Sequence, residues 1–399
     1  MPGRLELIMT FPRLNRLKEE LLAQPLVYLV APLLGITIAL ADYRVSLGPL
    51  VFYPPELLVY FLGIFAVSNR TSRLRLVRAW RDMNVEIKIA IYLIIAGALI
   101  GTLISPLFPQ SIGAFKAWIV APILLMILLV AYGNPRTVLT TVFVLGLLMV
   151  ARGLVEIYHL GLGIRLSGYY ESPNYFSALA APITLIAFWS ARERRSWAWL
   201  ILGIALTIMI LLTRSFGGLL GMLVAVVVLW FYLSKKEKTA LVLAAAILCL
   251  LVVPSFSSRF SQGGNSFDSR LEIWKASSLM LADVPLTGMG LRGFEHRYPT
   301  YISRVTLTPL QWDAAQPHNL ALAIWLGLGI LGLLGFIKLF WQILHFEGEP
   351  NAFVLAMIVI LGHGLVDTPY FRTDLAMVFW LYVAGTFLVK TSRKSGEGC

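Results

Sequence analysis

Residues 255–317 read SFSSRFSQGGNSFDSRLEIWKASSLMLADVPLTGMGLRGFEHRYPTYISRVTLTPLQWDAAQP, and this stretch decides the architecture. It contains no apolar run of the roughly 20 residues that a helix needs to cross a bilayer. Nine hydrophobic stretches precede it and three follow. It is dense in Arg, Gly, Pro and Trp, and it leads into Pro317-His318-Asn319 at the mouth of the next apolar run. Where the remaining backbone must satisfy itself in lipid, a single long loop is the natural place for specific chemistry.

The 399-residue chain as a whole is strongly apolar: 58% of it is hydrophobic and 14% charged. Such a composition excludes an ordinary soluble domain. Twelve spans are expected, at about 25–41, 50–67, 85–104, 113–132, 136–151, 173–189, 197–213, 215–233, 239–254, 318–341, 351–368 and 374–390. Pro54-Pro55 interrupts the second, and the seventh and eighth meet so closely at Arg214-Ser215 that they must form a hairpin. The expected class is an all-α, polytopic integral membrane protein in three parts. Residues 1–254 carry spans one to nine, residues 255–317 form the loop with an amphipathic helix, and residues 318–399 carry spans ten to twelve and a short tail.

Positive charge sets the expected orientation. With a cytoplasmic N-terminus, the inner segments carry Arg13, Arg16 and Lys18, then Arg70, Arg73, Arg75, Arg78 and Arg81, then Arg136. Further along come Arg192, Arg194 and Arg195, then Lys235, Lys236 and Lys238, and finally Arg393 and Lys394. Twelve spans place both termini in the cytoplasm and the long loop outside. That loop nevertheless carries Arg259, Arg270, Lys275, Arg292, Arg297 and Arg304. Long loops report topology poorly, so these arginines need another reason. The first apolar stretch lacks a small-residue cleavage site and reads as an uncleaved span. Cys249 and Cys399 imply no disulfide framework. The formal net charge of +12 follows from the topology and from anionic lipid at the inner surface, not from nucleic-acid binding.

Ser269-Arg270-Leu271-Glu272 has the pattern of a capping box, and Leu271, Trp274, Ser278 and Leu281 recur at helical spacing. A helix is expected from Ser269 to about Ala282, stopped by Pro285. Gly288-Met289-Gly290 and Gly293 are expected to turn tightly and present bare N–H groups, with a second partly helical stretch over Phe294–Ser303.

Topology gathers polar candidates from five regions at one rim. Arg214 lies in the hairpin, Arg270 starts the loop helix, and Arg292 lies in the Gly-rich turn with Arg297 as its alternative. His318 and Asn319 open span ten. His363 and Asp367, four apart on one helix face, end span eleven, and Asn174 and Tyr175 begin span six. Arginine offers a planar fork that pairs bidentately with phosphate, and a histidine near neutral pKa can take a proton from a hydroxyl. The outside loops hold no Asp-x-Asp pair, no cluster of His, Cys and carboxylates at metal-ligand spacing and no serine-nucleophile motif. The pattern points to phosphate chemistry at a membrane surface, with neither metal nor other cofactor. Each residue also has a structural reading: Arg214 can bind head groups, Arg270 can pair with Glu272 or Asp268, and His363 and Asp367 can tie span eleven to its neighbours.

Asp268-Ser269-Arg270-Leu271-Glu272-Ile273-Trp274, followed by Asp283-Val284-Pro285-Leu286-Thr287-Gly288-Met289-Gly290 and Phe294, resembles the signature loop of the O-antigen ligase and O-antigen polymerase superfamily. His318-Asn319 with Leu326-Gly327 through Gly335 resembles its histidine motif. Thr213-Arg214-Ser215-Phe216-Gly217-Gly218 resembles its hairpin arginine, and Leu361-Gly362-His363-Gly364-Leu365-Val366-Asp367 its late His/Asp segment. The resemblance covers roughly residues 170–390.

The resemblance implies a membrane glycosyltransferase of the GT-C type, acting at the periplasmic face of the bacterial inner membrane. Its donor would be an undecaprenyl-pyrophosphate-linked glycan. A ligase passes the glycan to lipid A-core, and a polymerase passes it to another lipid-linked repeat unit. A protein O-glycosyltransferase is a third form. By motif, Arg214, Arg270 and Arg292 would bind the pyrophosphate and His318 would be the catalytic base. Asn319, Arg297, His363, Asp367, Asn174 and Tyr175 would support them. A transporter or flippase is the reading from another class. It fits less well, because transporters place charges and broken helices near the bilayer midplane, whereas here charge gathers at one rim.

Overall fold

The computed structural model describes residues 29–47, 50–68, 70–161, 165–239, 266–345 and 349–395. Helices dominate. They are α1 (Ala31–Ala39), α2 (Pro54–Ser68), α3 (Arg70–Asp82), α4 (Val85–Leu103), α5 (Phe108–Tyr132, with one wider π-turn over Lys116–Val120), α6 (Pro135–Leu160) and α7 (Pro173–Arg194). There follow α8 (Trp197–Thr213), α9 (Phe216–Trp230), α10 (Ser266–Asp283), α11 (Gly293–Ile302), α12 (Leu320–Leu344), α13 (Ala352–Gly364) and α14 (Thr373–Ser395). A short antiparallel hairpin departs from the all-α expectation: β1 (Val45–Leu47) pairs with β2 (Leu50–Phe52), Ser46 facing Val51.

The ninth expected span, 239–254, lies outside the described residues, as do Arg13, Arg16, Lys18, Cys249, Arg259 and Cys399. Each of the other expected spans overlaps a helix, the first only over Ala31–Ala39 and the second only from Pro54, after β2. Among the described residues six are long and apolar enough to cross a membrane: α4, α5, α6, α7, α12 and α14. α2, α8, α9 and α13 are apolar but shorter, and α1 has nine residues. The protein is therefore a helical, multi-pass membrane protein.

Local chemistry explains the boundaries. Pro54-Pro55 opens α2 instead of interrupting a span, because a fixed proline φ and a missing N–H suit the first helical turn. Asn134 caps α6 in a reciprocal box with Thr137, and Asn351 caps α13 by accepting from the N–H groups of Phe353 and Val354. In lipid, helices gain from close backbone approach. A Cβ on Gly97 would lie 2.5 Å from the Leu328 carbonyl of α12, and one on Gly221 of α9 would lie 2.5 Å from the Val359 carbonyl of α13.

Two features of the loop differ from the sequence reading. α10 starts at Ser266, so Ser269 is inside the helix and the capping box does not form. The Ser269 hydroxyl donates to Gln311, and the Glu272 carboxylate accepts from the Leu310 N–H at 2.9 Å. The buried stripe is Ile273, Ala276, Ser277, Met280 and the expected Leu281, whereas Leu271 and Ser278 face outward. The stripe packs with Phe294, Tyr298 and Ile302 of α11 into a small core belonging to the loop itself. Nor are the N–H groups of the Gly-rich turn bare. Gly288 N–H bonds Val284, Met289 and Gly290 N–H both bond the Leu326 carbonyl, and Leu291 N–H bonds Gly101. The turn fits there because α12 breaks at Gly329 (φ 66°), whose next residue, Ile330, donates to the Leu286 carbonyl. Irregular backbone beside a span is tolerated when protein, not lipid, satisfies it.

The helix ends separate into two rims. One is tied together across distant segments by Asp42–Arg372, Arg165–Thr213, Ser105–Leu291 and Arg270–Asp367. The other is tied by Tyr132–Ser72, Arg192–Glu237 and Lys390–Gln342. The first contains the long loop.

Candidate functional site

The loop rim brings Arg270, His318, His363 and Asp367 into one group. Asp367 follows the C-terminus of α13, where its N–H bonds the His363 carbonyl and its side chain accepts from Thr368 N–H at 2.8 Å. Its Oδ1 lies 2.9 Å from His318 Nδ1. Its Oδ2 lies 3.8 Å from Arg270 Nη2 and 4.0 Å from His363 Nε2. Burial pushes the Asp367 carboxyl up, but the hydrogen bond and charge of His318, the nearby His363 ring and the Thr368 N–H outweigh it and hold the pKa down at about 2. Beside an ionised Asp367, Nδ1 of His318 carries the proton and donates it. Nε2 is left as the basic nitrogen on a side chain that is 28% exposed, against 9% for Asp367.

His318 owes its place to the segment before α12. Asn319 caps that helix through Leu322 N–H and also donates from Nδ2 to the Leu365 carbonyl at 3.0 Å, joining the start of α12 to the Asp367 loop. The Trp274 indole N–H donates to the His318 carbonyl at 3.3 Å, tying the same residue to α10. His318 itself takes φ 48°, a left-handed conformation that costs a non-glycine residue about 1–2 kcal/mol. Arg214 (φ 49°) and Arg292 (φ 60°) share that conformation. Tyr169 and Arg195, which are not candidates, take it as well, so the conformation alone does not mark the site.

Arg214 terminates α8 in the expected hairpin, its N–H bonding Leu211. The turn borders the His363 ring directly: a Cβ on Gly217 would lie 2.5 Å from His363 Cδ2. Asn174 and Tyr175 begin α7 beside it. Asn174 accepts from Arg165 Nη2 at 3.3 Å, and the Tyr175 ring stacks under Arg372 at 4.9 Å. Arg292 is placed differently. It pairs with Glu295, and the neighbouring Leu291 carbonyl accepts from Ser105 and Ser111 beyond the end of α4. Gly290 sits against Leu326, eight residues into α12 from His318 and so about 12 Å along it. Arg297 lies exposed on α11.

Three arginines outside the sequence candidates complete this rim. Arg165 Nε donates to the Thr213 carbonyl at 2.9 Å and so braces the Arg214 hairpin. Arg372 joins Asp42 and Asp374 and lies over Tyr170 at 4.9 Å, while Arg152 covers Tyr170 at 4.3 Å and pairs with Asp42 at 3.0 Å. None of the three belongs to a sequence motif; only tertiary contact reveals them. Among the described residues no group of three His, Cys, Asp or Glu side chains is arranged to hold a metal ion.

The family model described as O-antigen ligase matches residues 201–337. That stretch runs from α8 through the long loop into α12, and contains Arg214, Arg270, Arg292, Arg297, His318 and Asn319. No curated protein matches the chain. Over residues 201–337, this multi-pass membrane protein is similar to the O-antigen ligase family, which supports the superfamily resemblance of the loop and its flanking helices.

Proposed function

We propose that the chain is an O-antigen ligase. It would move a glycan from undecaprenyl pyrophosphate to a sugar hydroxyl of lipid A-core, at the periplasmic face of the inner membrane, with both termini cytoplasmic. The observation that carries this reading is the His318–Asp367–Arg270 group on the loop rim, beside the Arg214 hairpin. His318 Nε2 takes the proton of the acceptor hydroxyl as its oxygen attacks C1 of the donor sugar. The bond from C1 to the pyrophosphate oxygen breaks, and a single displacement inverts the anomeric centre. Arg270 and Arg214 bind the pyrophosphate and stabilise the charge that grows on it, at a rim drier than bulk water. Arg292, held by Glu295, is left out of this assignment. No metal is required, because guanidinium groups supply the positive charge.

The transporter reading loses support at the break in α12. A broken span can expose carbonyls to an ion, but here the Leu326 carbonyl already accepts from Met289 and Gly290 N–H.

The test uses purified protein, an undecaprenyl-pyrophosphate-linked glycan and EDTA, with lipid A-core as acceptor in one mixture and donor alone in the other. Transfer to lipid A-core, lost in His318→Ala and Arg270→Ala, is the expected result. Lengthening of the donor alone would make the protein a polymerase of the same superfamily, and no transfer in either mixture would overturn the enzymatic reading.

A further inference from the structure

We propose that α3, on the rim opposite the His318–Asp367 group, is a binding surface for anionic phospholipid headgroups. Its sequence, RTSRLRLVRAWRD, holds five arginines against one aspartate, and none of its residues is buried. Arg70, Arg73, Arg75, Arg78 and Arg81 are all exposed. Among the described residues, only Arg81 is paired with a carboxylate, that of Asp82 at 3.4 Å.

The arrangement of these arginines points to lipid. At 3.6 residues per turn, Arg70, Leu74, Val77 and Arg81 fall on one stripe, flanked by Arg73 and Arg78. Leu74 and Val77 are 57% and 58% exposed. Leu76 and Trp80, on the other side, pack against the helical core. The Ser72 carbonyl accepts from the Tyr132 hydroxyl at 2.6 Å, which moors α3 beside the end of α5. The helix joins the end of α2 to the start of α4, at the rim where those two apolar helices meet it. An apolar centre bordered by guanidinium groups suits the plane where acyl chains meet headgroups: Leu74 and Val77 enter the acyl layer while the arginines pair with phosphate. A soluble polyanion would use the charges but gain nothing from the two exposed aliphatic residues.

The experiment uses the full-length protein in nanodiscs of phosphatidylcholine with or without phosphatidylglycerol, scoring co-purified lipid and the thermal unfolding midpoint. Phosphatidylglycerol is expected to be retained several-fold over phosphatidylcholine and to raise the midpoint. The Arg70→Gln/Arg73→Gln/Arg78→Gln variant should lose most of that preference, and Leu74→Ser/Val77→Ser should weaken it. Soluble glycerol 3-phosphate should not compete. Equal retention of the two lipids by the wild-type protein, an unchanged preference in the triple variant, or full competition by glycerol 3-phosphate would each overturn the proposal. Equal retention by the wild-type protein overturns the proposal even if a variant fails to fold.

Discussion

His318 Nδ1 and Asp367 Oδ1 are 2.9 Å apart across 49 residues of chain, and that distance fixes which imidazole nitrogen is available for chemistry. An ionised Asp367 only accepts hydrogen bonds. It selects the Nδ1–H tautomer and leaves Nε2 as the nitrogen that can take a proton. Asp367→Asn keeps the shape but can present an N–H where an acceptor stood. The transfer rate should fall by about 10²–10⁴, the usual contribution of a positioned base, with helical content unchanged by circular dichroism. Near-wild-type transfer would remove Asp367 from the mechanism.

The low pKa of Asp367 gives a pH signature in stability. Its folded value of about 2 lies below the unfolded value of about 3.9. The carboxylate therefore adds stability that is fully present above the unfolded value and is lost as pH falls through the folded one. The gap in thermal midpoint between wild type and Asp367→Asn should stay constant from pH 8 to 5 and close as pH drops from about 4 toward 2. A gap that already narrows between pH 8 and 5 would mean that another group carries the effect.

Arg270 and Arg292 resemble one another in sequence, each beside a signature element of the loop, but their surroundings separate them. Arg270 reaches the Asp367 group with a side chain only 11% exposed, whereas Arg292 is 37% exposed and paired with Glu295 one turn away. Losing a charge donor at a dry reacting centre costs about 2.7–4 kcal/mol, or roughly 10²–10³ in rate. Losing a surface pair costs about 0–1 kcal/mol. Steady-state transfer assays of Arg270→Ala and Arg292→Ala should differ by at least tenfold, and equal losses would return Arg292 to the site.

That contrast marks what was legible in the chain. Spans, hairpin, loop helices and the polar rim follow from hydropathy, proline and charge, all short-range signals. His318, His363, Asp367 and Arg270 were visible because the topology alone sends their segments to one face. Arg165, Arg152 and Arg372 were not, since their partners are carbonyls and side chains of remote loops, such as Arg165 on Thr213 and Arg152 on Ala39. The phase of α10 was misread because Trp274 and Leu281 fit two stripes about equally, and only packing against Phe294 and Tyr298 selects the one through Ile273. Glycines at 288 and 290 suggested an open anion nest, and nothing local shows that the break at Gly329 leaves a carbonyl for them to bond.

Arg372 stands between two carboxylates, and its removal should be far more damaging than that of an arginine on the other rim. Its side chain is 17% exposed, and its partners Asp374 and Asp42 are 2% and 27% exposed. Arg372→Ala would leave the Asp374 carboxyl without its cation partner in a site with little water. Removing one partner of a buried pair costs about 3–5 kcal/mol. Tyr175 would also lose the cation over its ring, whereas Tyr170 would keep Arg152. Arg192 on the opposite rim joins Glu237 and Glu349 with a side chain 39% exposed, where solvent screens the charges. Arg192→Ala should cost no more than about 1 kcal/mol. Thermal unfolding of the two variants in one detergent should show a large drop for Arg372→Ala and a drop of a few degrees at most for Arg192→Ala. Comparable midpoints would mean that the Asp42–Arg372–Asp374 chain does not hold the loop rim together.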